Sequence, residues 1–386
     1  TDEYSTKFGF RYFSFDEKNR FVLNGKVTHI NGVCAHQDFG FLGKAVSDNL
    51  NRYKIEQIKQ MGANGYRCSH YPHTQSIMNA LDEIGFIVMD ETRWFDTSDD
   101  GLEQLKMLVK RDRNRPSVFM WSILNEEPMQ NTENGRRICK NMIAEIRKLD
   151  DSRLITGAVD TPVGSTIYDE LDVIGINYNL EKYDEIHKKF PDKPIFASEC
   201  CAAGTTRDWY YDTDLKYGYW NAFDHDTNNW FLGREKTYRF FNEREWIFGS
   251  FQWIAVEHRG ECVWPSLCSK SGAFDMFMQK KDAYYQNQSF WVNDKPMIHI
   301  APHWNFKGRE REPIRVVVYT NCNSVKLILN GRLIGEKNVE KCGCAEWIVE
   351  YEPGVIEAIG FNIDGRETIR DKRVTSDVPY RLVFRR

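Results

Sequence analysis

Eight short apolar runs, separated by segments with helical spacing, constrain this chain more than any other feature. They are Val27–Ala35, Gly65–Ser69, Phe86–Asp90, Val118–Leu124, Leu154–Ala158, Val173–Asn177, Pro194–Ser198 and Phe248–Ile254. The helical candidates are Ser47–Met61, Thr74–Ile84, Leu102–Arg113, Gly135–Leu149, Tyr183–Phe190, Gly233–Phe241 and Lys280–Trp291. The interval between the fifth and sixth runs is short for a helix. A strand followed by a crossover helix pairs in parallel with the next strand. Several of these runs are apolar without alternation, as in strands buried on both faces. Eight such units close into a (β/α)8, or TIM, barrel. An open doubly wound sheet would need a glycine-rich phosphate turn after its first strand, which Asn31-Gly32-Val33-Cys34-Ala35-His36 does not supply.

The period changes after residue 292. Ile314–Tyr319, Val325–Leu329, Trp347–Tyr351 and Val355–Phe361 read as strands, spaced by turns at Asn330-Gly331, Pro353-Gly354 and Asp364-Gly365, with a last strand at Tyr380–Arg386. This predicts an immunoglobulin-like β-sandwich over residues 293–386, after a barrel over 26–292 and a β-rich lead-in over 1–25. No stretch approaches the ~20 apolar residues that span a bilayer. A net charge of −4 without a basic stripe argues against nucleic acid. The opening Thr1-Asp2-Glu3-Tyr4 has neither the basic start nor the apolar stretch of a secretion leader. The ten cysteines contain no C-x-x-C pair, so no zinc site is expected. Cys34, Cys68 and Cys200 read as small buried hydrophobes, and Cys342 and Cys344 as free thiols. Reduced thiols favour a cytoplasmic location, with a secreted or periplasmic one left open.

In a barrel, catalytic side chains gather at the C-terminal ends of the strands. The polar residues there are His36 on the first strand and Arg67, Ser69 and His70 on the second. The third ends in Asp90 and Glu91, the fourth in Asn125, Glu126 and Glu127, and the sixth in Asn177 and Tyr178. Glu199 ends the seventh, and Trp253, Glu257 and His258 follow the eighth. Carboxylates on strands four and seven face each other across the barrel mouth. A pair about 5–5.5 Å apart suits double displacement at a glycosidic bond. One attacks the anomeric carbon; the other protonates the leaving oxygen and then activates water. Taken alone, a strand-end carboxylate is more often a solvated charge or a structural ion pair.

The local sequence is more specific. Gly65-Tyr66-Arg67-Cys68-Ser69-His70-Tyr71-Pro72, continuing to Asp82-Glu83-Ile84-Gly85-Phe86-Ile87-Val88-Met89, resembles the first signature of glycoside hydrolase family 2. Asp112-Arg113-Asn114-Arg115-Pro116-Ser117-Val118-Phe119-Met120-Trp121-Ser122-Ile123-Leu124-Asn125-Glu126 resembles the second, through to its Asn-Glu ending. The resemblance extends over essentially the whole chain. It implies Glu126 as acid/base, Asn125 as a ligand of the sugar 2-hydroxyl, and Glu199, in Pro194-Ile195-Phe196-Ala197-Ser198-Glu199, as nucleophile oriented by Tyr178. It also implies that His36, Arg67 and His70 line the pocket floor and that Trp253 is an aromatic platform. Plainer readings stand beside these: Arg67 as holder of the nucleophile, His70 as a framework histidine, Trp253 as barrel packing, and Asp90 and Glu91 as partners of arginines. Trp209-Tyr210-Tyr211 reads equally as a leaving-group subsite or as loop packing. Glu127, followed by Pro128, is the rival to Glu126.

The family includes β-galactosidases, β-glucuronidases and β-mannosidases, so the fold leaves the sugar open. The Asn-x-Lys element that glucuronidases share after strand eight is replaced by Ser269-Lys270-Ser271-Gly272. Asp90-Glu91-Thr92-Arg93-Trp94-Phe95-Asp96-Thr97 lacks the Glu and His of the magnesium-dependent galactosidases, so neither a metal nor another cofactor is expected. Arg259-Gly260-Glu261, Trp264-Pro265-Ser266 and Ser271-Gly272-Ala273-Phe274-Asp275 resemble the metal-independent bacterial β-galactosidases. The expectation is a retaining exo-β-galactosidase acting on a small carbohydrate, with β-glucuronidase or another family 2 β-glycosidase as the alternative. Nucleic acid and membrane are not expected partners. Family members carry a jelly-roll and an immunoglobulin-like domain ahead of the barrel, so the expected protein partners are those N-terminal domains or further copies in a homo-oligomer. A carbohydrate-binding fragment, inactive without those domains, is the reading of another class.

Overall fold

The computed structural model describes residues 2–3, 5, 7–224, 232–262, 264–378, 381 and 383, and in it the eight apolar runs form one closed parallel barrel. Its strands are β1 (Ile30–Ala35), β2 (Gly65–Cys68), β3 (Ile87–Glu91), β4 (Val118–Asn125), β5 (Leu154–Val159), β6 (Ile174–Asn177), β7 (Ile195–Cys200) and β8 (Ile247–Gln252). The largest difference from the sequence reading is at the first. Lys26–Val27 pairs with Phe21–Leu23 instead, and the barrel strand begins only at Ile30. Gly32 pairs with Gly65 on one side and Phe251 on the other. A Cβ there would sit 2.4 Å from the Phe251 ring, so glycine is what lets that ring fill the barrel interior.

The surrounding helices are α1 (Asp48–Gln60), α2 (Gln75–Ile84), α3 (Asp99–Asp112), α4 (Glu133–Arg147), α5 (Tyr183–Lys189), α6 (Arg234–Asn242) and α7 (Asp282–Trp291). None lies between β5 and β6, in keeping with that short interval. α3 and α4 start earlier than their apolar spacing suggests. Ser98 Oγ accepts from the Gly101 N–H (3.1 Å) and Thr132 Oγ1 from the Gly135 N–H (3.0 Å), and these caps set the starts. α2 stops at Gly85, whose φ of 83° is the left-handed conformation that ends a helix.

The lead-in strands Phe13–Phe15, Phe21–Leu23 and Lys26–Val27 form a small sheet across the N-terminal end of the barrel. Phe21 is fully buried, its ring 5.3 Å from Phe119 and 6.2 Å from Phe248, at the starts of β4 and β8. That plug leaves the C-terminal end to the loops that carry the polar residues.

Beyond α7, β9 (Ile298–Ala301), β10 (Pro313–Thr320), β11 (Ser324–Leu329), β12 (Arg332–Asn338), β13 (Ala345–Glu350), β14 (Val355–Phe361) and β15 (Glu367–Val374) form two antiparallel sheets. Their orders are β9-β10-β13 and β12-β11-β14-β15, the two layers of a β-sandwich. Trp304, Val316, Leu327, Val349, Tyr351 and Ile356 fill the space between them. The predicted strand Tyr380–Arg386 lies, but for residues 381 and 383, outside the described residues. All ten cysteines are free; Cys34, Cys68 and Cys200 are buried in barrel strands. Among the described residues no helix is long and apolar enough to cross a membrane.

Candidate active site

One buried guanidinium ties the strand ends together. Arg67, on β2, is 0% exposed. Its Nε and Nη2 donate to Glu91 Oε2 (3.0 and 2.8 Å), and Nη2 also donates to Asn125 Oδ1 (2.8 Å). Its Nη1 donates to Glu199 Oε1 (2.8 Å) and to the Ser198 carbonyl (2.9 Å). A planar fork of N–H groups can serve two carboxylates at once, which a lysine cannot. Tyr178 OH donates to Glu199 Oε2 (2.9 Å), so both oxygens of that carboxylate are held. Burial, and then the charge of Glu199, push the Tyr178 hydroxyl pKa up, which keeps it a donor. Burial works to raise Glu91 as well, but Arg67 and His70 outweigh it and hold the carboxyl below its ordinary range.

Glu126 directly follows β4. Its φ of 53° and the 54° of Tyr178 are left-handed, a conformation that costs a non-glycine residue about 1–3 kcal/mol and persists only where neighbours impose it. Here the Glu126 N–H donates to the Ala158 carbonyl and the Tyr178 N–H to that of Glu199, both at 2.9 Å. Asn177 Nδ2 donates to Glu126 Oε1 (2.7 Å) and Asn125 Oδ1 (3.2 Å), while Ser198 Oγ donates to Asn177 Oδ1 (2.7 Å). Partial burial, and then the charge of Glu199, push Glu126 up to about 7, against the pull of the Asn177 hydrogen bond.

His70 Nδ1 lies 2.8 Å from Glu91 Oε1 and its Nε2 3.7 Å from Glu199 Oε1. Its ring stacks on Trp253 at 5.2 Å and 9°. Trp253, just past β8, donates through Nε1 to Glu261 Oε2 (2.9 Å). His36 Nδ1 is 3.2 Å from Tyr71 OH, and its ring lies 4.3 Å from His258. Burial, and then His258 and His70, push His36 down to about 2, so it is neutral.

These residues surround a cavity of about 1110 Å³. Glu126, Tyr178, Glu199 and Trp253 line it, with Asp160, Glu181, Glu261 and Lys270 from the surrounding loops. His36, Arg67, His70 and Asn125 are not among its lining residues; Arg67 bonds Glu199 and His70 stacks on Trp253, which are, and Asn125 bonds Arg67 behind them. Glu127 is not a lining residue either. Glu91 is an arginine partner, but Asp90 is not: it sits beside Asp112, and burial followed by that neighbour pushes its carboxyl well up. Trp209-Tyr210-Tyr211 packs the loop instead of lining the cavity. Trp209 stacks on Tyr219 (4.4 Å), and Tyr210 OH donates to Asp282. Sequence reasoning placed Asn177 at a strand end without a role, and saw Glu261 only inside a motif. Neither carries a local signal for the partner it meets in the fold.

Residues 16–98 and 95–207 match the glycosyl hydrolases family 2 TIM barrel domain. The chain belongs to glycoside hydrolase family 2. Residues 311–369 of this family 2 chain match a domain of unknown function (DUF4982). It is 30% identical to the beta-galactosidase BoGH2A of Bacteroides ovatus, over 93% of this chain and 50% of that protein. It is 29% identical to a putative beta-glucuronidase of Formosa agariphila, over 99% of this chain and 40% of that one. The crystal structure of a beta-glycosidase from Bacteroides vulgatus superposes with a TM-score of 0.85 at 30% identity, covering 97% of this chain and 53% of that one. The chain thus spans about half the length, or less, of these relatives.

Proposed function

We propose that this family 2 chain carries the active site of a retaining exo-β-glycosidase, divided as lead-in 1–25, barrel 26–292 and immunoglobulin-like sandwich 293–386. Glu199 is the nucleophile and Glu126 the general acid/base. The observation that carries the reading is that two carboxylates line one cavity in opposite environments. Glu199 is held by Arg67 and Tyr178, while Glu126 is pushed up to about 7.

In the first step a Glu199 oxygen attacks the anomeric carbon. The bond to the leaving oxygen breaks, and that oxygen takes the Glu126 proton. The ester so formed carries no charge, which removes one cause of the raised Glu126 pKa. The ionised Glu126 then takes a proton from the water that cleaves the ester. Asn125 commits its oxygen to Arg67 and Asn177, leaving its NH2 for the sugar 2-hydroxyl. Trp253, fixed by His70 and Glu261, is the platform for the sugar face, and neutral His36 stands behind it.

A β-galactoside is the favoured substrate. Glu126, Asp160, Glu181, Glu199 and Glu261 face a single lysine among the described lining residues, a balance that suits an uncharged sugar. The alternative, a β-glucuronide, is favoured by that lysine, Lys270, and by the relative from Formosa agariphila. Hydrolysis of nitrophenyl β-galactoside and β-glucuronide, with Glu199→Gln as control, tests both. Faster turnover of the galactoside, lost in the variant, is expected. A faster glucuronide establishes the alternative. Lactone binding without turnover of either would mean a carbohydrate-binding fragment.

A further inference from the structure

We infer that the C-terminal sandwich is a working part of the substrate cavity: it holds in place residues 206–223, the part of the loop after β7 that forms one wall. The inference rests on the glycosidase reading only for its kinetic consequence. A relay runs from the far sheet to that loop. Arg373, on β15, donates through Nη2 to His299 Nδ1 on β9 (3.0 Å). With Nδ1 accepting, the His299 proton sits on Nε2, which donates to Asp282 Oδ1 at the start of α7 (3.0 Å). Asp282 Oδ2 in turn accepts from Tyr210 OH in the loop (2.8 Å). The Tyr210 ring packs 5.4 Å from His303 and 5.5 Å from Phe223. Phe223 is buried in a cluster with Ala301, Val317 and Tyr319 of the sandwich.

The loop is therefore seated on the sandwich at Tyr210 and Phe223, and Leu215, Gly218 and Trp220, between those anchors, line the cavity. Lys281, the neighbour of Asp282, fixes the adjoining wall. Its Nζ donates to the carbonyls of Thr205 (2.7 Å) and Lys270 (2.9 Å) and to Glu257 (2.9 Å). A long loop that had to order itself on binding would weaken affinity; seating it in advance removes that penalty. His299, Asp282 and Tyr210 form none of the hydrogen bonds to Glu126 or Glu199, so they are positioning residues whose loss acts on binding and not on the bond-breaking step.

The test compares the full chain with His299→Ala, Tyr210→Phe and His299→Gln, the last keeping an N–H donor. Hydrogen exchange is followed over residues 206–222 and over β7, with KM and kcat for nitrophenyl β-galactoside measured on the same proteins. Loss of one hydrogen bond predicts exchange about fivefold faster in the loop and unchanged in β7. KM is expected to rise about fivefold with kcat retained, and His299→Gln to recover part of both. Unchanged loop exchange in the folded variants, or a fall in kcat with KM unmoved, overturns the inference. Exchange does not require turnover, so a parent chain that cleaves no β-glycoside would refute the glycosidase reading and still leave exchange to decide the anchoring.

Discussion

Replacing Arg67 by Met keeps the apolar length of the side chain and removes the guanidinium shared by Glu91 and Glu199. Both carboxylates are buried, at 0% and 4% exposure, and each accepts at least one N–H from Arg67 at 2.8 Å. Removing one partner of a buried ion pair typically costs about 3–5 kcal/mol, because the other charge is left uncompensated. The pH dependence follows from the direction of the Glu91 shift. In the parent its pKa is depressed, so its contribution to stability is present above the ordinary carboxylate value and lost as pH falls through the depressed one. In the variant only His70 and Ser122 still oppose burial, so the pKa rises from its depressed value and the stability that the ionised carboxylate contributes at high pH shrinks. The destabilisation is therefore largest at pH 8 and smaller at pH 5, where the carboxylate takes up a proton. At about 1–2 °C per kcal/mol for a unit of this size, a loss of about 4 kcal/mol lowers the melting temperature by about 4–8 °C at pH 8. Thermal unfolding of parent and variant at the two pH values measures this. A drop of less than about 2 °C at pH 8, or the same drop at both, would refute the reasoning.

Asn177→Ala removes the hydrogen bond that pulls Glu126 down, so the basic limb of the kcat/KM profile should move above about 7; a limb that stays or moves down contradicts the assignment. Glu199→Gln removes a charge that lifts Glu126, and carboxyl NMR should find Glu126 titrating below the parent's value of about 7. Ser98→Ala deletes the cap of α3 and should lower stability by about 1 kcal/mol, measured by urea unfolding, with activity unchanged.

The barrel was legible because its strands are apolar on both faces and its helices keep a strict period, so pattern alone located nearly every one. Strands β9, β12 and β15 were not. β12 and β15, Arg332–Asn338 and Glu367–Val374, are edge strands largely open to solvent, and a sequence such as Glu-Thr-Ile-Arg-Asp-Lys-Arg-Val shows little apolar alternation to read. In the site, the residues ending β2, β4 and β7 stood out because their types and order match a motif. The network that makes them a unit did not. Asn177 meets Glu126 across 51 positions and Arg67 meets Glu199 across 132, pairings that exist only once the barrel closes. Tyr210 shows the limit for aromatics: a Trp-Tyr-Tyr run has the same letters whether it faces a ligand or, as here, the sandwich.

The most direct test of the central claim is covalent trapping. A 2-deoxy-2-fluoro β-galactoside with a dinitrophenyl leaving group slows hydrolysis of the ester more than its formation, so the intermediate accumulates. Peptide mass spectrometry after digestion should then find one sugar per chain, on Glu199, and none in Glu126→Gln without a good leaving group. A label on another carboxylate, or turnover with inverted anomeric configuration and no label, would contradict the account.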